Sequence, residues 1–506
     1  MADARLEQLS SGRLGPLLLR FSWPALLSMT LNALYTVVDR VFIGKFGSID
    51  SPWICQDLLA GMALVFPLLM TVAAFGVMIG VGSSSLLSIK LGEKKTGDAE
   101  RILGQCVALK LALFCFAPPL FFWIRDILAA TGGARVSPLA IDAGACYMRT
   151  VVFSLLFSHL AFGLSACMRA EGAPRESMTC MAVGFGVNFA LDPLFIWAFQ
   201  RIEALRGFFG PENAGLAGAA WATNVAMAAS CAVALRYYVS GRSSVKLRAA
   251  NIRIRPALAA RALSIGFSPF LQQAVGSLAM ISVNASLGAW AGGEAETTRQ
   301  TAVAGIFTTV TMVTLMPVLG LQQGLSPIIG YGWGARRFDR VLGALKLGLW
   351  TTAAMCVLVC LFTMAAARPL AWCFAESGSA GLIGEATRVL RIANCFIWCI
   401  FLNVCATTYF QSVGRPLYAT GLSFLRQGVC LIPCTWLLPY AFPAHPVAAI
   451  WAAHPCGDVL AFAATLPFLL REISFLKRVS SRRPGRTGPA CATSQNRRNP
   501  ERNEIK

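Results

Sequence analysis

The sequence predicts an all-α integral membrane protein with twelve transmembrane helices in two pseudo-symmetric six-helix lobes. Three observations predict it. The composition is apolar and poor in charge, long apolar runs alternate with short basic loops, and motifs in the first half recur in the same order in the second.

The composition comes first because it excludes most alternatives. Of 506 residues, 56% are hydrophobic and only 13% are charged, about half the charged share of a soluble domain. Mean hydropathy is +0.61. A soluble domain has too little polar surface to cover so much apolar side chain, whereas lipid tails solvate apolar helices directly. The net charge of +20 lies in short clusters between apolar runs and in one tail. That is the pattern of loops facing anionic lipid on the cytoplasmic side, not of a surface for nucleic acid. The expected partner is the lipid bilayer, and no nucleic acid is expected.

Twelve runs are long enough to span. They lie near 14–46, 57–84, 101–124, 138–168, 175–199, 214–239, 257–291, 301–331, 341–366, 384–412, 416–440 and 446–470. The first carries Asp39, has no small-residue cleavage site and is expected to be a retained span rather than a leader. Basic clusters follow the second, sixth and eighth runs: Lys90, Lys94, Lys95 and Arg101; Arg242, Lys246, Arg248, Arg253 and Arg255; Arg336, Arg337 and Arg340. With an even number of spans, these clusters put both termini in the cytoplasm. Arg368, Arg388 and Arg391 on the opposite face run against the rule. The expected organisation is a cytoplasmic amino terminus (1–13), a first lobe (14–240), a basic linker (241–256), a second lobe (257–471) and a disordered cytoplasmic tail (472–506).

The repeat has an offset of roughly 245 residues, and six spans per half make it a parallel repeat about an axis along the membrane normal. Ser22-Trp23-Pro24 answers Ser268-Pro269, Leu59-Ala60-Gly61 answers Val303-Ala304-Gly305, and Gly76 and Gly80 answer Gly320 and Gly324. Asp39 falls opposite Asn284. Two such bundles with a cavity between them imply transport by rocking one against the other. The glycine pairs at four-residue spacing read as close helix packing.

Charge inside a span costs about 3 kcal/mol on insertion scales. Two carboxylates stand out: Asp39, one turn after Tyr35, and Asp192, one turn after Asn188. Burial and a second nearby acid both raise a carboxylate's pKa, so such a pair can hold a proton near neutral pH or take Na⁺ through oxygen ligands. Asp39 and Asp192 are therefore the candidate coupling-ion site. Two plainer readings stay open on the residues alone: Asp39 as an interfacial partner of Arg40 or Lys45, and Asp192 as a helix-end residue before Pro193. Pro24 removes a backbone hydrogen bond mid-membrane and is the candidate bend. Aromatic and Met-rich spans suit flat, lipophilic, often cationic ligands. Cys356 and Cys360, Cys395 and Cys399, and Cys430 and Cys434 are four apart in apolar runs and read as packing residues. No cofactor is expected, and no metal beyond Na⁺ at Asp39 and Asp192. Neither His159, isolated in its apolar run, nor the scattered serines make a catalytic set, so no enzyme activity is expected.

In these residues the sequence resembles the multidrug and toxin extrusion family, in its bacterial DinF-like and MepA-like branch. The resemblance covers about residues 14 to 470. It rests on Leu34-Tyr35-x-x-Val38-Asp39, Leu59-Ala60-Gly61, Arg169-Ala170-Glu171-Gly172, Asn188-x-x-Leu191-Asp192-Pro193, Gly218-Ala219-Ala220-x-Ala222-Thr223 and Gly320-Leu321-Gln322-Gln323-Gly324. It implies a V-shaped pair of six-helix lobes in the bacterial plasma membrane, acting as a monomer and exporting lipophilic or cationic compounds in exchange for inward H⁺ or Na⁺. By motif match it adds Thr223 to Tyr35, Asp39, Asn188 and Asp192 at the ion site, with Pro24 as the bend. The chain departs from the family at Ser165-Ala166, where an amide is common, and has Gln272, Gln273 and Asn284 but no carboxylate in the seventh span. The alternatives are a lipid-linked oligosaccharide flippase of the same architecture or a narrow metabolite exporter. Few basic residues are seen mid-span, which favours the drug or cation exporter.

Overall fold

The computed structural model describes residues 12–46, 55–132, 138–290, 292–374 and 380–481, together with Leu9. Among them there is no strand. Twelve long helices follow the predicted runs: α1 (Leu14–Phe46), α2 (Cys55–Gly92), α3 (Thr96–Phe122), α4 (Pro138–Ala170), α5 (Pro174–Arg201) and α6 (Ala214–Val239). The second set is α7 (Pro256–Trp290), α8 (Glu294–Gly334), α9 (Phe338–Ala365), α10 (Gly381–Ser412), α11 (Pro416–Ala441) and α12 (Pro446–Ser481). Eleven are long and apolar enough to cross a membrane. The one outside that set is α7, 35 residues long, whose apolar run is diluted by Ser268, Gln272, Gln273, Ser277 and Asn284.

The turns repeat as the helices do. α4 ends at Gly172 and α10 at Gly414, both with positive φ. In each, the following N–H reaches back over the last turn, Ala173 to the Met168 carbonyl and Arg415 to the Phe410 carbonyl, at 2.9 Å in both cases. This is the glycine-terminated helix end that satisfies orphan carbonyls. Pro174 and Pro416 then open the next helix, where a missing N–H costs nothing. The α2–α3 and α8–α9 turns match in the same way. Lys94 and Arg336, at the same spacing as Gly172 and Gly414, are the two non-glycine residues with positive φ among the described residues. The repeat is thus written into backbone geometry, including positions where the sequences differ.

The halves meet through α1, α2, α7 and α8. A Cβ built on Gly266 would lie 1.8 Å from the Met78 carbonyl oxygen, and one on Gly82 would lie 1.9 Å from that of Ala262. Only glycine permits this α2–α7 approach. Gly320 and Gly324 of α8 do the same against Leu26 and Ser22 of α1, and Gly334 against Ile89 of α2. All these contacts lie toward the helix ends that carry the basic clusters, so the halves are sealed at the basic-loop end.

One expectation shifts. The helix α12 runs to Ser481, so the segment expected to be tail from residue 472 begins as helix. Glu472 is buried there, accepting hydrogen bonds from Tyr409 at 2.9 Å and Arg415 at 2.8 Å, and these hold the last turns to the bundle. Residues 482–506 of that expected tail, like the expected amino terminus apart from Leu9, Gly12 and Arg13, lie outside the described residues. Pro24 lies inside α1, near the middle of its apolar stretch Leu14–Asn32. It lies between Ser22 and Leu26, the residues that face Gly324 and Gly320.

The linker between α6 and α7 is anchored to the first half. Glu171, in the α4–α5 turn, accepts from the Ser243 hydroxyl at 2.6 Å and the Ser244 N–H at 3.0 Å, and Arg248 pairs with Glu100 at 3.2 Å. Glu171 is fully buried, and that burial outweighs the donors around it and pushes its pKa up to about 7 from an ordinary 4.5. An acid whose folded-state value is raised binds its proton more tightly folded than unfolded. Stability is therefore greatest below the unfolded value and falls as pH rises from 4.5 through 7. We expect the thermal midpoint of the purified protein to fall between about pH 5 and pH 8, by the equivalent of up to about 3 kcal/mol. Glu171→Gln should flatten that dependence; an unchanged slope in the variant would assign it to another group.

Candidate ion-binding site

The site is built on the buried face of α5. Cys180, Gly184, Asn188, Asp192 and Ile196 recur every four residues and are all buried, the spacing of one helix stripe. That stripe faces α6, and the two helices come close because Gly218 lies against the Phe195 carbonyl, 2.5 Å from where a Cβ would sit. The Asn188 amide donates to Asp192 Oδ1 at 3.0 Å and to Thr223 Oγ1 at 3.4 Å. Exposure is 2% for Asn188, 0% for Asp192 and 4% for Thr223, so three of the expected residues meet in one dry cluster. Asn224, next along α6, fixes α4 by donating to the Thr150 carbonyl at 2.9 Å. Pro193 has no N–H for the Phe189 carbonyl one turn back, which frees an oxygen in the turn that carries Asp192.

The other half of the predicted site lies on α1. Tyr35 and Asp39 belong to that helix, but their side chains lie outside the described residues. α1 packs along α5, and Phe42, three residues beyond Asp39, lies 6.2 Å from Phe189, three residues before Asp192. Ser28 donates to the Pro24 carbonyl at 2.8 Å, so the proline turn keeps a local bond although its own N–H is missing.

Ser165, which departs from the family pattern, serves a different cluster. It bonds Ser177 at 2.6 Å and accepts from Arg169 at 3.0 Å. Ser177 is about 16 Å along α5 from Asn188, so Ser165 is not a ligand of the Asp192 cluster.

Charge inside the helices is more abundant than the sequence reading expects, and its expectation of two intramembrane carboxylates is corrected. Asp458 of α12 is buried and pairs with Arg426 of α11 at 2.8 Å. Lys110 of α3 is buried too, donating to the Gly76 carbonyl at 2.6 Å with the Phe162 ring 5.7 Å away. Opposite charges in consecutive apolar runs, Arg426 then Asp458, were the available signal. Lys110 is visible as a charge inside the third run, but its partner is not, because that is a backbone oxygen. Gly76 lies under the His159 ring and Gly80 against Phe162, so these glycines make room for side chains of α4.

The fold defines a polytopic helical membrane protein of two repeated halves, with a buried acid–amide–hydroxyl cluster in the first. The MatE family pattern matches residues 24–194 and 273–437, and the chain belongs to that family. It is 22% identical over 477 residues to the multidrug export protein MepA of Staphylococcus aureus, spanning 93% of this chain and 97% of the relative. Among solved structures it is similar to an outward-facing multidrug resistance MATE family transporter of the MOP superfamily, with TM-score 0.81, 22% identity, and 93% and 98% coverage of the two chains. It is also similar to a MOP superfamily transporter from Pyrococcus furiosus described as having a binding pocket of reverse polarity, with TM-score 0.79, 23% identity, and 93% and 98% coverage.

Proposed function

We propose that this chain is a secondary active exporter of lipophilic or cationic small molecules, driven by inward H⁺ or Na⁺. The observation that carries the reading is the Asn188–Asp192–Thr223 cluster, a carboxylate held in a dry helix interface beside α1. Such a carboxylate is costly unless it takes a proton or a cation. Asp39 supplies the second acid in this reading, and ion binding between α1 and α5 is transmitted through the Pro24 turn to the α1–α8 seal. With the basic loops in the cytoplasm, a seal at that end is the outward-facing state. Ion taken up from outside opens the seal, the ion then leaves to the inside in exchange for substrate, and closing the seal again carries the substrate out. The chain acts as a monomer in the plasma membrane, with both termini cytoplasmic. The family of the relatives named for multidrug export supports the substrate class.

A second reading, a narrow metabolite exporter, draws support from Arg426, a cation within a span. The test is ethidium efflux from energised cells expressing the chain, with Asp39→Asn alongside. The expected result is efflux that collapses on removing the proton or Na⁺ gradient and is lost in the variant. Wild-type efflux in Asp39→Asn would remove Asp39 from the site, and no efflux from well-inserted wild type would favour the narrow substrate.

A further inference from the structure

The second half contains a cavity of about 250 Å³ between α7, α8, α11 and α12. Its polarity is opposite to that of the Asp192 cluster. Among the described lining residues there is no carboxylate, and Arg426 carries the one permanent charge. Asp458 stands behind it and takes the Nε–H at 2.8 Å, while Asp458 itself does not line the space. A guanidinium has five N–H donors, and the side chain of Arg426 is 21% exposed against 7% for Asp458. The Nη groups therefore remain for something in the cavity.

Four further lining residues each carry a buried polar atom with no protein partner: Asn284 Oδ1, Thr311 Oγ1, Gln427 Oε1 and His454 Nδ1. Buried polar groups are normally satisfied, so these await partners that the protein does not supply. Phe307 and Met312 form apolar wall. The backbone is also specialised here. Leu425–Leu431 is π-helical, a distortion that recurs at functional sites, and it carries both Arg426 and Gln427. Pro433 accounts for it in part, since its ring conflicts with regular α-helix one turn back. In the repeat, Asn284 stands where the first half has Asp39, so the position of that acid is held by an amide in a cavity that Arg426 also lines.

We propose that this cavity binds the anionic group of a small amphiphilic acid. The ligand class has one carboxylate, an apolar body and an N–H or O–H donor. Arg426 contacts the carboxylate, Asn284, Thr311 and Gln427 take the donor, and Asp458 is a positioning residue that holds the guanidinium. The inference deepens the second reading, the narrow metabolite exporter, by naming a substrate class, and it rests on that reading only for the direction of movement.

The test is fluorescence titration of the full chain in lipid nanodiscs with dansylglycine and with dansylglycinamide, which lacks only the charge. The wild type should bind the acid about tenfold or more tightly than the amide, the size of one hydrogen bond to a charged group. Arg426→Met alone strands a buried Asp458 charge, so the deciding variant is Arg426→Met with Asp458→Asn, its folding verified by thermal unfolding. It should bind both ligands equally. Equal binding in the wild type, or a preference that survives in the double variant, would overturn the proposal. Ethidium efflux measured with the same protein separates the two claims. Acid preference without ethidium efflux sinks the lipophilic or cationic substrate class alone, and ethidium efflux without acid preference sinks this proposal alone.

Discussion

Asp192→Asn is expected to abolish ion-coupled export while leaving the protein folded and equally stable. The two effects follow from one property. Asp192 is wholly buried and bonded to Asn188, and an ionised carboxylate in a helix interface costs about 3 kcal/mol on insertion scales. The amide keeps the shape and an acceptor oxygen but can neither titrate nor balance a cation. Ethidium exchange against a pH or Na⁺ gradient in proteoliposomes should therefore fall by about two orders of magnitude, the change expected when a group required for each cycle is lost. The thermal midpoint should hold, because the amide keeps the side chain's shape and the oxygen that accepts from Asn188. A purely structural Asp192 gives the reverse pattern: transport near the wild-type rate, or a large drop in midpoint with transport falling only in step.

Gly266→Leu should trap the protein away from the sealed arrangement. A Cβ at this position would overlap the Met78 carbonyl at 1.8 Å, and backbone cannot yield as the tip of a flexible side chain can. Overpacking of this kind costs roughly 1–3 kcal/mol. Because it acts on the joint between the halves, the energy falls on the equilibrium between the two access states. A bias of that size changes the population ratio by about 5- to 150-fold. Spin labels at the basic-loop ends of α2 and α8 should report longer distances in the variant, with transport falling by about tenfold while the protein still purifies as a monodisperse species. Unchanged distances with normal transport would mean that the α2–α7 approach is not part of the cycle.

The fold was legible because its signals are long and redundant. Each apolar run exceeds what a span needs, the repeat can be read at several motifs, and Gly320 and Gly324 mark a helix contact that the structure places against α1. The matched turns at Lys94 and Arg336, by contrast, share conformation rather than residue type, so sequence comparison passes over them. Half of the candidate site was legible as well. Asn188 and Asp192 are one turn apart, and helix geometry alone puts them together; Thr223, far along the chain on α6, entered only through family resemblance. What escaped was pairing between helices. Arg426 and Asp458 face each other across α11 and α12, a contact that depends on helix rotation and on the π-helical turn. The partner of Lys110 was hidden for a related reason, since it is the Gly76 carbonyl, an atom every residue possesses.

The most direct test of the central claim, that ion movement drives export through the first half, is gradient consumption in proteoliposomes loaded with a pH dye and, separately, with a Na⁺ dye. Ethidium is supplied and wild type is compared with empty vesicles. The expected result is ethidium movement against its own gradient, accompanied by dissipation of one of the two ion gradients and by neither effect in Asp192→Asn. Ethidium movement that consumes neither gradient, or that runs at the rate of empty vesicles, would contradict it.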